Sequence, residues 1–187
     1  MTPGGPVDRY RQAPVNPDDL TLHEASFDEL SPATLYEILR LRVDVFVVEQ
    51  DCMFGDLDGR DREPSCRHLW LEHDADVLGY ARILTEPDGS IQIGRVVTRG
   101  EARDRHLGVR LMREALARVA GSVVLKAQAR LAGWYGQFGF VAEGDEFTWD
   151  GIAHVRVTHP VALTSPAQAN PSGAGQSHPQ PSPAREP

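Results

Sequence analysis

The sequence predicts a mixed α/β (α+β) domain, with one central, mostly antiparallel sheet flanked by helices. Three observations lead there. Apolar stretches of strand length alternate with segments of helical periodicity; three strand-like stretches follow one another across short polar turns; and a strand–helix–strand unit occupies the middle of the chain. Strands joined by tight turns pair antiparallel, whereas a crossover helix lays its two strands side by side in parallel, so the sheet is mixed.

Residues 21–27 read as the first strand. Ser31 then offers an N-cap with Pro32 at the first helical position, and Leu35, Ile38, Leu39 and Phe46 recur at helical spacing. A polar, Asp-rich loop follows over 51–65. The three consecutive strands are expected at 68–72, 77–84 and 91–98, with Pro87-Asp88-Gly89 turning between the last two. Leu107, Leu111, Met112, Ala115, Leu116 and Val119 define one face of a longer helix that Gly121 terminates. A strand at 123–127, a shorter helix at 131–138 ending at Gly139, and strands at 140–143 and 154–161 complete the pattern.

The chain has 187 residues, with 27 acidic and 19 basic side chains giving a formal charge of −8. At 41% hydrophobic and 25% charged it can bury a core without disulfides or metal staples. The acidic balance argues against a nucleic-acid binder, which needs a basic face to release phosphate counterions. It leaves room for a cationic substrate. Lys126 is the only lysine, so the remaining cations are forked guanidinium groups suited to phosphate or carboxylate. Two cysteines, Cys52 and Cys66, without CxxC spacing point to a reducing cytosol. No stretch approaches the roughly 18 to 20 apolar residues of a membrane span, and the N-terminus lacks an apolar signal core. A cytoplasmic protein with no membrane partner is expected, monomeric or homodimeric. Residues 1–19 are rich in Pro, Gly and Asp and residues 164–187 in Ser, Pro, Ala, Gln and Gly, and both are expected to be disordered around a domain spanning 20–163.

The chemistry concentrates in 103–110, where a helix start presents unpaired N–H groups and Gly108 carries no Cβ to keep an anion from the backbone. Arg103, Arg105 and Arg110 add cations around this phosphate seat. Asp56, Asp58 and Asp61 lack the remaining ligands of a calcium loop, and the Cys and His spacings match no zinc pattern, so no metal is expected. Arg82 and Arg95 lie inside strand patterns. Arg95 is expected to share a face with Ile91, Ile93 and Val97; each arginine either pairs with a neighbouring carboxylate or waits for a substrate carboxylate.

Two segments carry a family resemblance. Arg103 to Arg110 resembles the (Q/R)xxGx(G/A) acyl-CoA signature of the GNAT N-acetyltransferases, and Gln128-Ala129-Arg130-Leu131-Ala132-Gly133-Trp134-Tyr135-Gly136-Gln137-Phe138-Gly139-Phe140 resembles their NxxAxxFYxxxGF region. His106 stands where the first signature glycine usually lies, and Asp104 where Arg-Gly is commonest, so both side chains are expected to point outward. Residues 35–42, Val45-Phe46-Val47-Val48-Glu49-Gln50, Asp56-Leu57-Asp58-Gly59, Arg67-His68-Leu69 and Ile93-Gly94-Arg95-Val96 are similar to the ElaA-type branch, in which the position of His106 is often not glycine.

The resemblance covers about residues 20–161 and implies the GNAT acyl-CoA N-acyltransferase fold, acetyl-CoA as co-substrate and acetyl transfer to an amine that the branch does not define. It implies a bulged strand at 91–98 that splays from its neighbour, with Val96, Val97 and Thr98 pairing with the pantetheine arm. The pyrophosphate is then expected on His106, Leu107, Gly108, Val109 and Arg110, with Gln128 and Trp134 completing the cofactor site. Tyr135 matches the tyrosine that protonates the departing thiolate. Glu49, expected to have a raised pKa in apolar surroundings, is the candidate general base, directly or through a water, and His68, with an intrinsic pKa suited to the task, is its rival; the alternatives are a helix-surface carboxylate for Glu49 and a hydrogen-bonded, half-buried histidine for His68. Glu49 and Gln50, with Arg82 and Arg95, are expected on the acceptor side. The competing reading is a degenerate GNAT domain that holds acyl-CoA as a sensor or scaffold.

Overall fold

The computed structural model describes residues 19–51, 55–149 and 151–160. Residues 164–187, all of 1–19 except Asp19, and Cys52 lie outside them. The elements run β1 (Thr21–Ala25), α1 (Pro32–Arg42), β2 (Arg67–His73), β3 (Asp76–Thr85), β4 (Ile91–Thr98), α2 (Leu107–Ala117), β5 (Ser122–Gln128), α3 (Ala132–Gly136), β6 (Val141–Trp149) and β7 (Ile152–Pro160). The seven strands form one sheet in the order β1-β2-β3-β4-β5-β7-β6. All neighbours are antiparallel except β4 and β5, which flank the α2 crossover.

The start of α1 is the one the sequence predicts: Ser31 Oγ accepts a hydrogen bond from the Thr34 N–H at 3.0 Å, and Pro32 opens the helix. Strand β1 stops at Ala25, earlier than expected, because the Ser26 N–H and Oγ both donate to Glu29 at 2.7 Å and start a 3₁₀ turn. The helix expected to continue through Phe46 changes geometry after Arg42. Residues Val43–Glu49 form a π-helical segment whose end is marked by the Gln50 N–H donating to the Val45 carbonyl at 3.1 Å. Such a segment has wider turns than an α-helix, which re-aims the side chains on it.

Two cores sandwich the sheet. On one face Leu111, Met112 and Ala115 of α2 pack on Leu69, Ile83, Ile93, Val123 and Leu125. On the other, Ile38 and Leu41 of α1 and Val45 pack on Trp70, Tyr80 and Val97. Each fully buried aliphatic side chain contributes roughly 1.5 to 3 kcal/mol, so the helices are held mainly by this burial.

Strand β4 changes face within its own length. Gly94 pairs with Arg82 and Val97 with Tyr80, so Arg95 and Val96 together oppose Ala81, with Arg95 at φ 54°. Ile91 and Ile93 therefore belong to the α2 core and Val97 to the α1 core. This corrects the expectation that Arg95, Ile91, Ile93 and Val97 share a face: strict alternation holds only where no residue is inserted.

The last elements also differ in extent. A 3₁₀ turn at Ala129–Leu131 precedes a five-residue α3, shorter than the expected helix. Strand β6 runs on past the expected end at Glu143, because Gly144-Asp145-Glu146 form a register shift inside the β6–β7 hairpin with Gly144 at φ 73°. No helix among the described residues is long and apolar enough to cross a membrane.

Candidate active site

Strands β4 and β5 pair only at Ile91 with Val123 and Gln92 with Val124, and beyond these residues the ladder between them stops. The gap leads into a cleft of about 420 Å³. Val96, Val97 and Thr98 of β4 form one wall, and Leu131, Trp134 and Tyr135 around α3 form the other. Val45, Phe46, Glu49 and Gln50 of the π-helical segment close a third side.

The start of α2 forms the cleft's polar end. His106 adopts φ 57°, ψ 23° and its side chain caps nothing, and the first α-helical hydrogen bond is from the Arg110 N–H to the His106 carbonyl at 3.0 Å. The amides of Leu107, Gly108 and Val109 precede that bond and have no partner within the helix. A Cβ placed on Gly108 would lie 3.4 Å from Trp134 Cζ2 and 4.0 Å from Thr98 Cγ2, so the bare backbone there sits directly between the two walls. The left-handed backbone at His106 also explains its position in the signature, where glycine is usual. His106 is exposed and lines the cleft.

Arg103 Nη1 and Nη2 donate to Glu49 Oε1 and Oε2 at 2.5 and 2.6 Å, joining the turn before α2 to the end of the π-helical segment. These hydrogen bonds, opposed by burial and supported to a lesser degree by the guanidinium charge, hold the Glu49 carboxyl below the usual carboxylate range. Raising by apolar surroundings was expected; the arginine reverses it. Tyr135 packs edge-on against Trp134, with ring centroids 4.9 Å apart, and against Phe140 at 5.7 Å, and its burial pushes the phenol up to about 12.

The structure thus brings together Glu49, Gln50, Val96, Val97, Thr98, Arg103, His106, Gly108, Val109, Trp134 and Tyr135. Gln128 stands at the margin, its Nε2 donating to Gln50 Oε1 at 3.3 Å. Leu107 is not among the residues lining the cleft: it is buried in the core, with the whole residue 1% exposed. Arg110 donates to the Leu20 carbonyl at 3.2 Å, and neither it nor Arg105 is among the residues lining the cleft. Arg130 and Phe46 line the cleft without having been singled out. Arg130 lies inside the second signature segment, and Phe46 could have been found only by knowing that the helix widens.

His68 is not brought to the cleft. It is fully buried: its Nε2–H donates to the Asp61 carbonyl at 3.0 Å, and its Nδ1 accepts from the Tyr80 hydroxyl at 2.8 Å. Burial also pushes its pKa down. A ring with both nitrogens engaged inside the core cannot collect an acceptor's proton, so the general-base expectation for His68 is corrected.

Arg82 and Arg95 resolve to the structural alternative. Arg42, Arg82 and Arg95 interleave with Asp56, Asp58 and Asp61. Arg42 donates to Asp56 at 2.9 Å and Asp61 at 2.8 Å, and Arg82 donates to Asp58 at 2.6 and 2.7 Å. Arg95 Nε lies 2.7 Å from Asp56 Oδ1. Three cations matched to three anions need no substrate carboxylate, and the aspartates that suggested a calcium loop serve the arginines. Among the described residues no cluster of three His, Cys, Asp or Glu side chains is placed to hold a metal. Cys66 is fully buried and its thiol is pushed up to about 11 by desolvation, which makes it a poor nucleophile.

The donor set fits an acyl-CoA: a strand-edged slot for an amide-bearing arm, unpaired amides at a glycine for phosphate, and arginines at the mouth. The sequence model of the family described as "Acetyltransferase (GNAT) domain" matches residues 42–159. The chain is 44% identical over 137 residues to a UPF0039 protein of Mycobacterium tuberculosis, covering 71% of this chain and 88% of that one. It is 36% identical over 140 residues to Protein ElaA of Escherichia coli, covering 71% and 92%. Among solved structures, an acyl-CoA N-acyltransferase from Pseudomonas aeruginosa superposes with a TM-score of 0.70 at 36% identity, over 75% of this chain and 99% of that one. Escherichia coli ElaA superposes with a TM-score of 0.70 at 33% identity, again over 75% and 99%.

Proposed function

The chain belongs to the GNAT acetyltransferase family, in its ElaA-type branch, and on that premise we propose that it moves an acetyl group from acetyl-CoA to a primary amine by direct attack. Acyl-CoA-dependent acyl transfer is the family's activity. Acetyl as the group moved, a primary amine as acceptor and a ternary complex are the finer reading. One observation carries it: a single cleft runs from the open start of α2, past Gly108 and Trp134, to Tyr135.

The amides of Leu107, Gly108 and Val109, with Arg103 and Arg130, would hold the phosphates. Val96, Val97 and Thr98 would pair with the pantetheine amides along the splayed edge of β4. An acetyl thioester bound this way supplies an activated carbonyl beside Tyr135. The acceptor arrives as an ammonium ion, with a pKa near 10 if it is lysine-like. Glu49 is the carboxylate lining the cleft; it attracts that cation and passes its proton toward water, leaving the amine lone pair to attack the carbonyl carbon. The C–N bond forms, the C–S bond breaks, and CoA leaves as a thiolate.

With its phenol at about 12, Tyr135 is fully protonated at neutral pH. Full transfer to a thiolate whose conjugate acid ionises near 8.5 runs uphill by roughly 5 kcal/mol, so Tyr135 stabilises the departing sulfur by hydrogen-bond donation, and solvent supplies the final proton. No acyl-enzyme is proposed, since neither cysteine belongs to the two signature segments and Cys66 is buried away from the cleft.

The test mixes the protein and acetyl-CoA with a panel of primary amines and follows free thiol. Thiol release that requires both amine and protein is expected. Acetyl-CoA binding with silence across the panel would make the domain an acyl-CoA-binding module instead.

A further inference from the structure

Glu49 and Arg103 form a bidentate pair between two elements that border the cleft, 54 residues apart in sequence. Glu49 closes the π-helical segment on the side of Val45 and Phe46; Arg103 belongs to the turn that delivers the chain to Gly108. The Glu49 carboxylate also lies against this turn's backbone, with Oε2 3.9 Å from where a Cβ on Gly100 would stand. Both side chains are substantially exposed, 45% for Glu49 and 42% for Arg103. An ion pair so open to water is weak and exchangeable. A phosphate group offers a guanidinium the same two-oxygen geometry with more charge.

Resting on the transferase reading above, we propose that the Glu49–Arg103 pair is a latch opened by the phosphates of acyl-CoA: Arg103 exchanges the carboxylate for phosphate, and the released Glu49 then receives the acceptor's ammonium. One cation serves two anions in turn. Before acyl-CoA arrives, Glu49 is neutralised and offers an amine little attraction. Afterwards the cleft presents an unpaired carboxylate, so acyl-CoA binding strengthens acceptor binding and, by linkage, the acceptor strengthens acyl-CoA binding equally. Gln50 supports the exchange: its link to Gln128 at 3.3 Å ties the end of the π-helical segment to β5, so Glu49 keeps its place when Arg103 departs.

The test is a double-mutant cycle read by calorimetric titration with acetyl-CoA, which measures binding without turnover. Glu49→Gln removes the competing anion and should tighten acetyl-CoA binding about three- to tenfold. Arg103→Gln should weaken it, and Glu49→Gln added to Arg103→Gln should change it by less than about twofold. Both side chains are at the surface, so circular dichroism and melting temperature should stay at wild-type values and confirm folding. Glu49→Gln leaving acetyl-CoA affinity unchanged or weaker, or tightening it equally without Arg103, would overturn the latch while leaving the transferase reading intact. A wild-type chain that binds neither acetyl-CoA nor CoA would overturn the transferase reading and the latch with it.

Discussion

The Tyr80 hydroxyl donates a hydrogen bond to His68 Nδ1 at 2.8 Å, and this bond fixes which form of histidine the core contains. Because Nε2 faces the Asp61 carbonyl, it carries the hydrogen, and Nδ1 is left as the acceptor. A second proton would have to displace the tyrosine hydrogen inside the core. Nitrogen chemical shifts should therefore report a neutral Nε2–H ring that titrates below the ordinary histidine range. The stability consequence follows in sign: the unfolded chain gains a proton near pH 6.5 that the folded chain refuses. His68 thus contributes stability above that pH and loses it as pH falls. Titration at or above 6.5 would contradict the packing.

Gly108→Val should weaken acetyl-CoA binding by about tenfold or more. Even its Cβ would stand 3.4 Å from Trp134 Cζ2, and the two further methyl groups have only the cleft to enter. Calorimetry checks this, with an unchanged far-ultraviolet spectrum as the control; equal affinity would mean that phosphate does not bind over Gly108.

Tyr135→Phe should lower kcat about ten- to a hundredfold while leaving acetyl-CoA affinity within about twofold. The ring contacts with Trp134 and Phe140 survive the loss of the hydroxyl, so the effect separates chemistry from packing. Steady-state kinetics with the best amine of the panel reads it. An unaltered kcat would remove the phenol from the reaction.

Arg42→Met should destabilise the fold by about 3 kcal/mol in urea denaturation, because Asp56 and Asp61 each lose one of two guanidinium partners inside the core and keep only Arg95 and Arg82. Arg130→Gln, at an exposed position, should leave the urea midpoint essentially unchanged. If both variants shift the midpoint equally, the network is not the anchor its geometry indicates.

Acid should reach the same network at a predictable pH. Burial works to raise the Asp58 carboxyl, yet hydrogen bonds and charge from Arg82, with smaller contributions from the Arg60 amide and Arg95, hold it at about 2. A depressed folded-state pKa contributes stability above the unfolded value of 3.8 and loses it as pH falls from there to about 2. Asp58→Asn should flatten the stability curve across that window. A variant whose acid limb matches wild type would detach Asp58 from Arg82.

Much of the fold was legible because its signals are local. The Ser31-Pro32 start, the α2 apolar face and the meander turns depend on residues adjacent in sequence, and so does the signature that placed Arg103, Gly108 and Tyr135. What was not legible depends on pairing across the chain. Whether Arg95 awaits a carboxylate or already holds one is decided by Asp56, 39 residues away, reached only when the 55–62 loop folds back. Glu49 was expected to rise in pKa because an apolar run precedes it; Arg103, distant in sequence, decides the opposite. His68 has the chemistry of a base and the burial of a core residue, and only the second can be seen after Tyr80 and Asp61 close around it.

The inserted residue opposite Ala81 acts as a phase shift in the strand's two-beat rhythm. Upstream of it β4 keeps time with one core and downstream with the other. Deleting one residue from the pair at 95 and 96 would restore the beat and turn Val97 toward the α2 layer. A shift of one residue there would therefore turn half of a central strand inside out, and with it the wall that Val97 gives the cleft.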